Sequence, residues 1–264
     1  MSSALLSLFP PSCVSVFCSA TSAEGDARTV FAMHIVAAFL VAYPKRTCFW
    51  LCRANSFQAF LFRELVLNHV RGRYDDGKAV PLLGSSAESE EVEQVISRVF
   101  LYKVFDIPEL LATTRILADE MGNYTDSMMV MDSTLGMFLN VMQSSRAQGH
   151  FQLQQHLQVL RSLCRKHNVT CVLLSVAVAA YPSDIVQSQF DSPSLKPPLG
   201  PILLYYSDFC ALMLKDLKAP DANDADPDHT GSAVAYLLEI VADRWLTSEG
   251  HVMPFILVNF QLVI

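Results

Sequence analysis

The chain has 264 residues, room for one large domain or two small ones and for a substantial buried core. Hydrophobic residues make up 52% and charged residues 17%, with a mean hydropathy of +0.30, which excludes a disordered or low-complexity chain. Lys and Arg number 19 against 26 Asp and Glu, a formal net charge of -7, and an acidic chain repels a phosphate backbone unless its few cations are clustered, so autonomous, salt-driven nucleic-acid binding is not expected.

From the start of the chain, Met1 to Ala23 holds an apolar stretch, but it lacks a basic leading region and Pro10-Pro11 interrupts it, so a secretory signal is not expected. Val14 to Ser19 has the length and apolarity of a buried strand. Thr21 to Ala27 reads as a small, polar turn, followed by an apolar helix from Arg28 to Tyr43 that Pro44 ends. Val30 to Tyr43 is apolar apart from His34, yet falls short of the roughly 20 residues a bilayer crossing needs. Thr47 to Cys52 is a second buried strand, and Ser56 is placed to cap a helix through Leu67. Tyr74 to Glu93 is polar and reads as an exposed loop leading into a helix.

Val99 to Phe105 predicts a third strand, after which Ile107, Leu110, Leu111, Leu117, Ala118 and Met121 share one face of a helix. Met128 to Met131 predicts a fourth strand, ending at Asp132. Leu153, Leu157, Leu160 and Cys164 mark a further helix before the strand Thr170 to Val176. Buried strands alternating with helices predict an α/β fold, a mostly parallel sheet flanked by helices on both faces. The tail is different: Ile202 to Tyr206, Cys210 to Leu214, Ala235 to Val241 and Phe255 to Val263 have β-like patterns, expected to add antiparallel strands at the C-terminal edge of the sheet. The acidic run Asp221 to Asp228 reads as an exposed hairpin tip without the acceptor spacing of a calcium loop. All of residues 1–264 are expected to form a single domain.

The seven cysteines lack CxxC spacing, and Cys13, Cys18, Cys48, Cys52 and Cys171 lie in apolar runs, the pattern of reduced, packed thiols in a nuclear or cytosolic protein. Asn123 and Asn168 match the glycosylation pattern by chance. His34 is expected to be a hydrogen-bonded core histidine, and His156 and His167 lack a third ligand for zinc.

In a parallel α/β protein the first strand-to-helix turn is the usual phosphate site. Aligned on G-x-x-x-x-G-K-[ST], residues 22–29 keep the length and the final Thr29, but Arg28 replaces lysine, Ser22 and Ala27 stand at the glycine positions, and Gly25 lies between them. The strand ending Met131-Asp132-Ser133 supplies a carboxylate of the kind that holds magnesium in phosphate-loop enzymes.

Taken together, these segments resemble the RecA-type recombinases, and especially their eukaryotic paralogues. The resemblance runs through the degenerate phosphate loop, the second strand with Phe57 after it, VFLYKVFDIPELL, VMDST, QLQQHLQVLRSLCRKHNV with TCVLLSV, and PLGPILLYYSDFCALMLKDL. It implies a RecA-like core without the family's separate N-terminal domain. Phe17-Cys-Ser-Ala20, a match to the family's polymerisation element, falls inside the first strand and is expected to be core.

Departures from the family then shape the expected function. Where active recombinases have D-T-E-G-T-F, this chain has Cys52-Arg-Ala54-Asn-Ser-Phe57, so Ala54 replaces the glutamate that polarises the attacking water. The glutamine of the family's N-Q-V corresponds to Ala177. Side chains at the glycine positions keep backbone donors from a triphosphate, and Arg28 is a planar fork where a flexible point charge is needed. The stretches resembling the two DNA loops, Gln143 to His150 and Ala179 to Pro198, carry only Arg146 and Lys196 as cations.

The resemblance therefore implies a pseudo-ATPase without a resident cofactor, with weak ATP and magnesium binding only at a shared subunit interface. Its expected partners are another recombinase paralogue with an intact phosphate loop and the recombinase filament, with DNA contacted weakly or through the complex, no membrane, and a nuclear setting. Asp132 and Ser133 are candidates for a partner interface, and Arg28 is expected to be a solvated side chain in the first turn of a helix. The competing expectation is a slow ATPase using Arg28, Thr29 and Asp132.

Overall fold

The computed structural model describes residues 12–19, 22–53, 56–75, 86–124, 126–181, 188, 195–199, 201–215, 233–243, 252–258 and 261–263. Strands β1 (Val14–Ser19), β2 (Cys48–Cys52), β3 (Val99–Lys103), β4 (Met128–Asp132), β5 (Thr170–Val176) and β8 (Phe209–Lys215) run parallel in one sheet. Strands β9 (Ala233–Asp243), β10 (Val252–Val258) and β11 (Gln261–Val263) extend it antiparallel, giving nine strands in the order β11-β10-β9-β8-β1-β5-β4-β2-β3. The expected α/β architecture is present, except that β8 pairs parallel with β1. The antiparallel edge therefore begins one strand later than the sequence pattern suggests.

Both faces of the central strands are covered, which is why they read as continuous apolar runs. Along β4, Met128 and Val130 enter one core, and Met129 and Met131 enter the other. The first core lies under helices α1 (Ser22–Ala42), α2 (Ala59–Asp75) and α3 (Ser86–Ile96). The second lies under α4 (Ile107–Glu120), α5 (Leu135–Ser144), α6 (Arg146–His167) and the short α7 (Pro201–Tyr206). Helix α1 is apolar on all sides because it is enclosed by the sheet and its neighbouring helices, with Val30 to Val41 buried throughout. Among the described residues no helix is long and apolar enough to cross a membrane.

His34, within α1, meets His69 of α2, their ring nitrogens 3.4 Å apart. All seven cysteines are free and buried. Asn168 closes α6 in the left-handed region, with φ 57°, a conformation asparagine tolerates, and its side chain bonds Ser12 and Asp126.

Several elements differ from expectation. Helix α1 starts at Ser22, so most of the anticipated turn is helical. Helix α2 begins at Ala59 and runs to Asp75, leaving Ser56 outside it, beside the Cys52 thiol. The run Ile202 to Tyr206 belongs to α7. The stretch compared with a first DNA loop is helix on both sides of a break at Ser145, where α5 and α6 meet at Gly149. A Cβ on Gly149 would lie 2.9 Å from the Met142 backbone nitrogen, so only glycine allows this approach. The stretch compared with a second loop opens and closes in a small ribbon of β6 (Val178–Ala179) and β7 (Leu195–Lys196). Ala20, Ala54 and the acidic run at 221–228 lie outside the described residues, as does most of the leading segment.

Candidate functional site

The carboxyl ends of β1, β4 and β5 converge on the second turn of α1, and the residues singled out from the sequence meet there. Arg28 is 3% exposed rather than solvated. Its guanidinium donates to Ser19 Oγ at the end of β1 (3.0 Å), to the Ser175 carbonyl near the end of β5, and to Ser133 Oγ just beyond β4 (3.1 Å). A planar fork reaches three acceptors at the ends of three strands in this way, whereas an ammonium on a flexible stem would not hold that geometry. The charge that a phosphate loop aims at its ligand is here directed into the sheet.

Thr29 and Asp132 form the second half of the cluster. Thr29 Oγ1 donates to Asp132 Oδ2 at 3.1 Å, and Ser133 Oγ lies 3.3 Å from Asp132 Oδ1. Asp132 is 1% exposed, with both oxygens engaged within the chain. Ser133 is half-buried and joins the two halves, contacting Arg28 and Asp132. It holds φ at 60°, a left-handed conformation that costs a serine about 1–2 kcal/mol and aims its hydroxyl between the two charged groups. Cys52 is the parallel-register neighbour of Asp132 at the end of β2; burial and the adjacent carboxylate push its thiol pKa up.

Ser22 and Gly25 lie in the first turns of α1, and Ala27 is buried against the first core. Residues 22–29 are all helical, so no extended loop lies among them and only the N–H groups of the first turn lack an intrahelical acceptor. The cation and the carboxylate that would contact a nucleoside triphosphate with magnesium are both bonded to protein atoms here. Ala177 is buried, and its backbone N–H donates to the Ser19 carbonyl at 2.7 Å, tying β5 to β1 beside the cluster. Phe57 packs edge-on against Trp50 and also meets Phe62, so it belongs to the core.

Sequence reasoning did not find Ser19 and Ser175. Both are small polar residues at the ends of apolar strands, a signal that the first-strand serine could have given once Arg28 was read as facing inward. Among the described residues no cluster of His, Cys, Asp and Glu could hold a metal ion.

No family model matches the chain, and no curated protein matches it in sequence. Among solved structures, the crystal structure of the RadB recombinase is similar to it, with a TM-score of 0.63 at 14% identity over 96% of this chain and 91% of that one. The chain thus has the RecA-type fold over almost its whole length.

Proposed function

We propose that this chain is a non-catalytic recombinase paralogue that acts in the nucleus in homologous recombination repair. It pairs with a second paralogue carrying an intact phosphate loop, and the pair stabilises or remodels recombinase filaments on single-stranded DNA. The observation that carries this reading is the closed Arg28, Ser133, Asp132 and Thr29 cluster, in which the groups that would hold phosphate and magnesium instead brace strand ends. Ala54 and Ala177, in place of a water-polarising glutamate and a nucleotide-sensing glutamine, support it from the sequence side.

Pairing is supported by the sheet edge. β3 is an edge strand whose Phe100 and Leu101 are exposed, followed by Phe105 at 69% exposure. An apolar edge of this kind is a template for a strand from another chain. The alternative, a slow ATPase of the same fold using Arg28, Thr29 and Asp132, draws on the Thr29–Asp132 contact.

The test is affinity purification of the tagged chain from cells, with mass spectrometry of what accompanies it. The expected result is a stoichiometric partner bearing G-x-x-x-x-G-K-[ST] and recruitment of the pair to damaged DNA. ATP turnover by the isolated chain that Thr29→Ala abolishes would favour the alternative instead.

A further inference from the structure

One strand length from the cluster, roughly 20 Å away at the amino-terminal end of the sheet, α6 and α7 enclose an open groove of about 680 Å³. It is lined by Gln158, Arg161, Ser162, Arg165, Lys166 and the tyrosines 205 and 206. Its chemistry differs from that of the chain as a whole. Although the net charge is -7, neither α6 nor α7 contains an aspartate or glutamate, and the last turn of α6 is Arg165, Lys166 and His167.

The groove has a fixed floor and exposed cations at its rim. Arg161 donates to the backbone carbonyls of Tyr205 (3.0 Å) and Tyr206 (3.4 Å) and pairs with Asp208 at 3.5 Å. Asp208, itself 6% exposed, also accepts from the Val14 backbone N–H. Arg161 is thereby held in place, with the nearby carboxylate directed into the protein. Gln158 donates to the Tyr206 hydroxyl at 3.2 Å, and the two tyrosine rings meet edge to face at 5.1 Å. Arg165 and Lys166 are exposed and form no ion pair among the described residues, and the Tyr205 ring is 68% exposed.

We infer that this groove is a docking site for a short acidic segment of a partner protein, its carboxylates on Arg165 and Lys166 and an apolar side chain on Tyr205. Charge complementarity selects an anion, and clustered cations beside an aromatic surface are a recurring way to read acidic peptides. A short peptide is favoured over a nucleic-acid strand because a phosphate backbone carries a charge at every nucleotide. On leaving a groove with so few cations it would run over a chain of negative net charge. The inference does not rest on the pairing proposed above, since the groove has the same chemistry whether or not the chain binds a paralogue.

The test is fluorescence anisotropy on the full chain with labelled Asp-Glu-Phe-Asp-Glu-Leu, the same peptide with lysine at the acidic positions, and a six-nucleotide oligothymidylate. The acidic peptide should bind and weaken as salt is raised. Arg165→Glu with Lys166→Glu should weaken it by about tenfold or more, and Tyr205→Ala by about threefold. Circular dichroism melts should show all variants folded, as expected for exposed positions. Unchanged affinity in the charge-reversed variant, no binding of the acidic peptide at about 1 mM, or tighter binding of the oligothymidylate that the same substitutions abolish would each overturn the inference.

Discussion

Replacing Arg28 by alanine would leave the Ser19 hydroxyl, the Ser175 carbonyl and Ser133 facing a buried void. Losing these charge-assisted bonds should destabilise the fold by about 2–4 kcal/mol, read as a lower urea midpoint. Arg28→Lys should recover only part of the loss, because an ammonium cannot span acceptors at the ends of three strands. A surface arginine would show neither effect. Burial also has a consequence for pH. His156 lies in the second core against Phe138 with neither ring nitrogen hydrogen-bonded, and burial pushes its pKa down from 6.5 to about 4. Burial and the neighbouring His34 do the same to His69, also to about 4. Both groups take up protons more readily when the chain unfolds. Their contribution to stability is therefore fully present above about pH 6.5 and is lost as the pH falls towards and through about 4, on the order of 3 kcal/mol for each group. His156→Leu should remove its share of that slope and raise stability at neutral pH by about 1 kcal/mol, measured by urea melts at pH 7 and 4.5.

The elements show which local signals were legible. Strands β1, β2, β4 and β5 were readable because burial on both faces leaves uninterrupted apolar runs, and α6 because Leu153, Leu157, Leu160 and Cys164 keep one buried face. Ile202 to Tyr206 was misread because a short apolar run has no decisive period; Pro201, at the first helical position, was the usable cue. The start of α1 was misread because small polar residues suit a turn as well as a first helical turn. The inward course of Arg28 was not legible at all, since its acceptors lie at residues 19, 133 and 175 and only the parallel register brings them together. The α5–α6 corner gives a test at this scale. Gly149→Ala should cost about 1–3 kcal/mol, because the new methyl must push against the Met142 backbone.

At the scale of the molecule, the sheet has the RecA-type fold, the side chains at its first strand-to-helix junction brace the strand ends, and its β3 edge exposes Phe100 and Leu101 among the described residues. The chain alone should therefore self-associate, and Leu101→Lys should reduce both self-association and capture of a paralogue by several-fold in a pull-down without lowering the melting temperature. The central claim is that the site is closed by its own side chains. The most direct measurement is the thermal midpoint of the purified chain, alone and with its partner, with and without Mg-ATP. No shift attributable to this chain is predicted for the wild type or for Thr29→Ala. A rise of several degrees in the isolated wild type that Thr29→Ala abolishes would contradict the account.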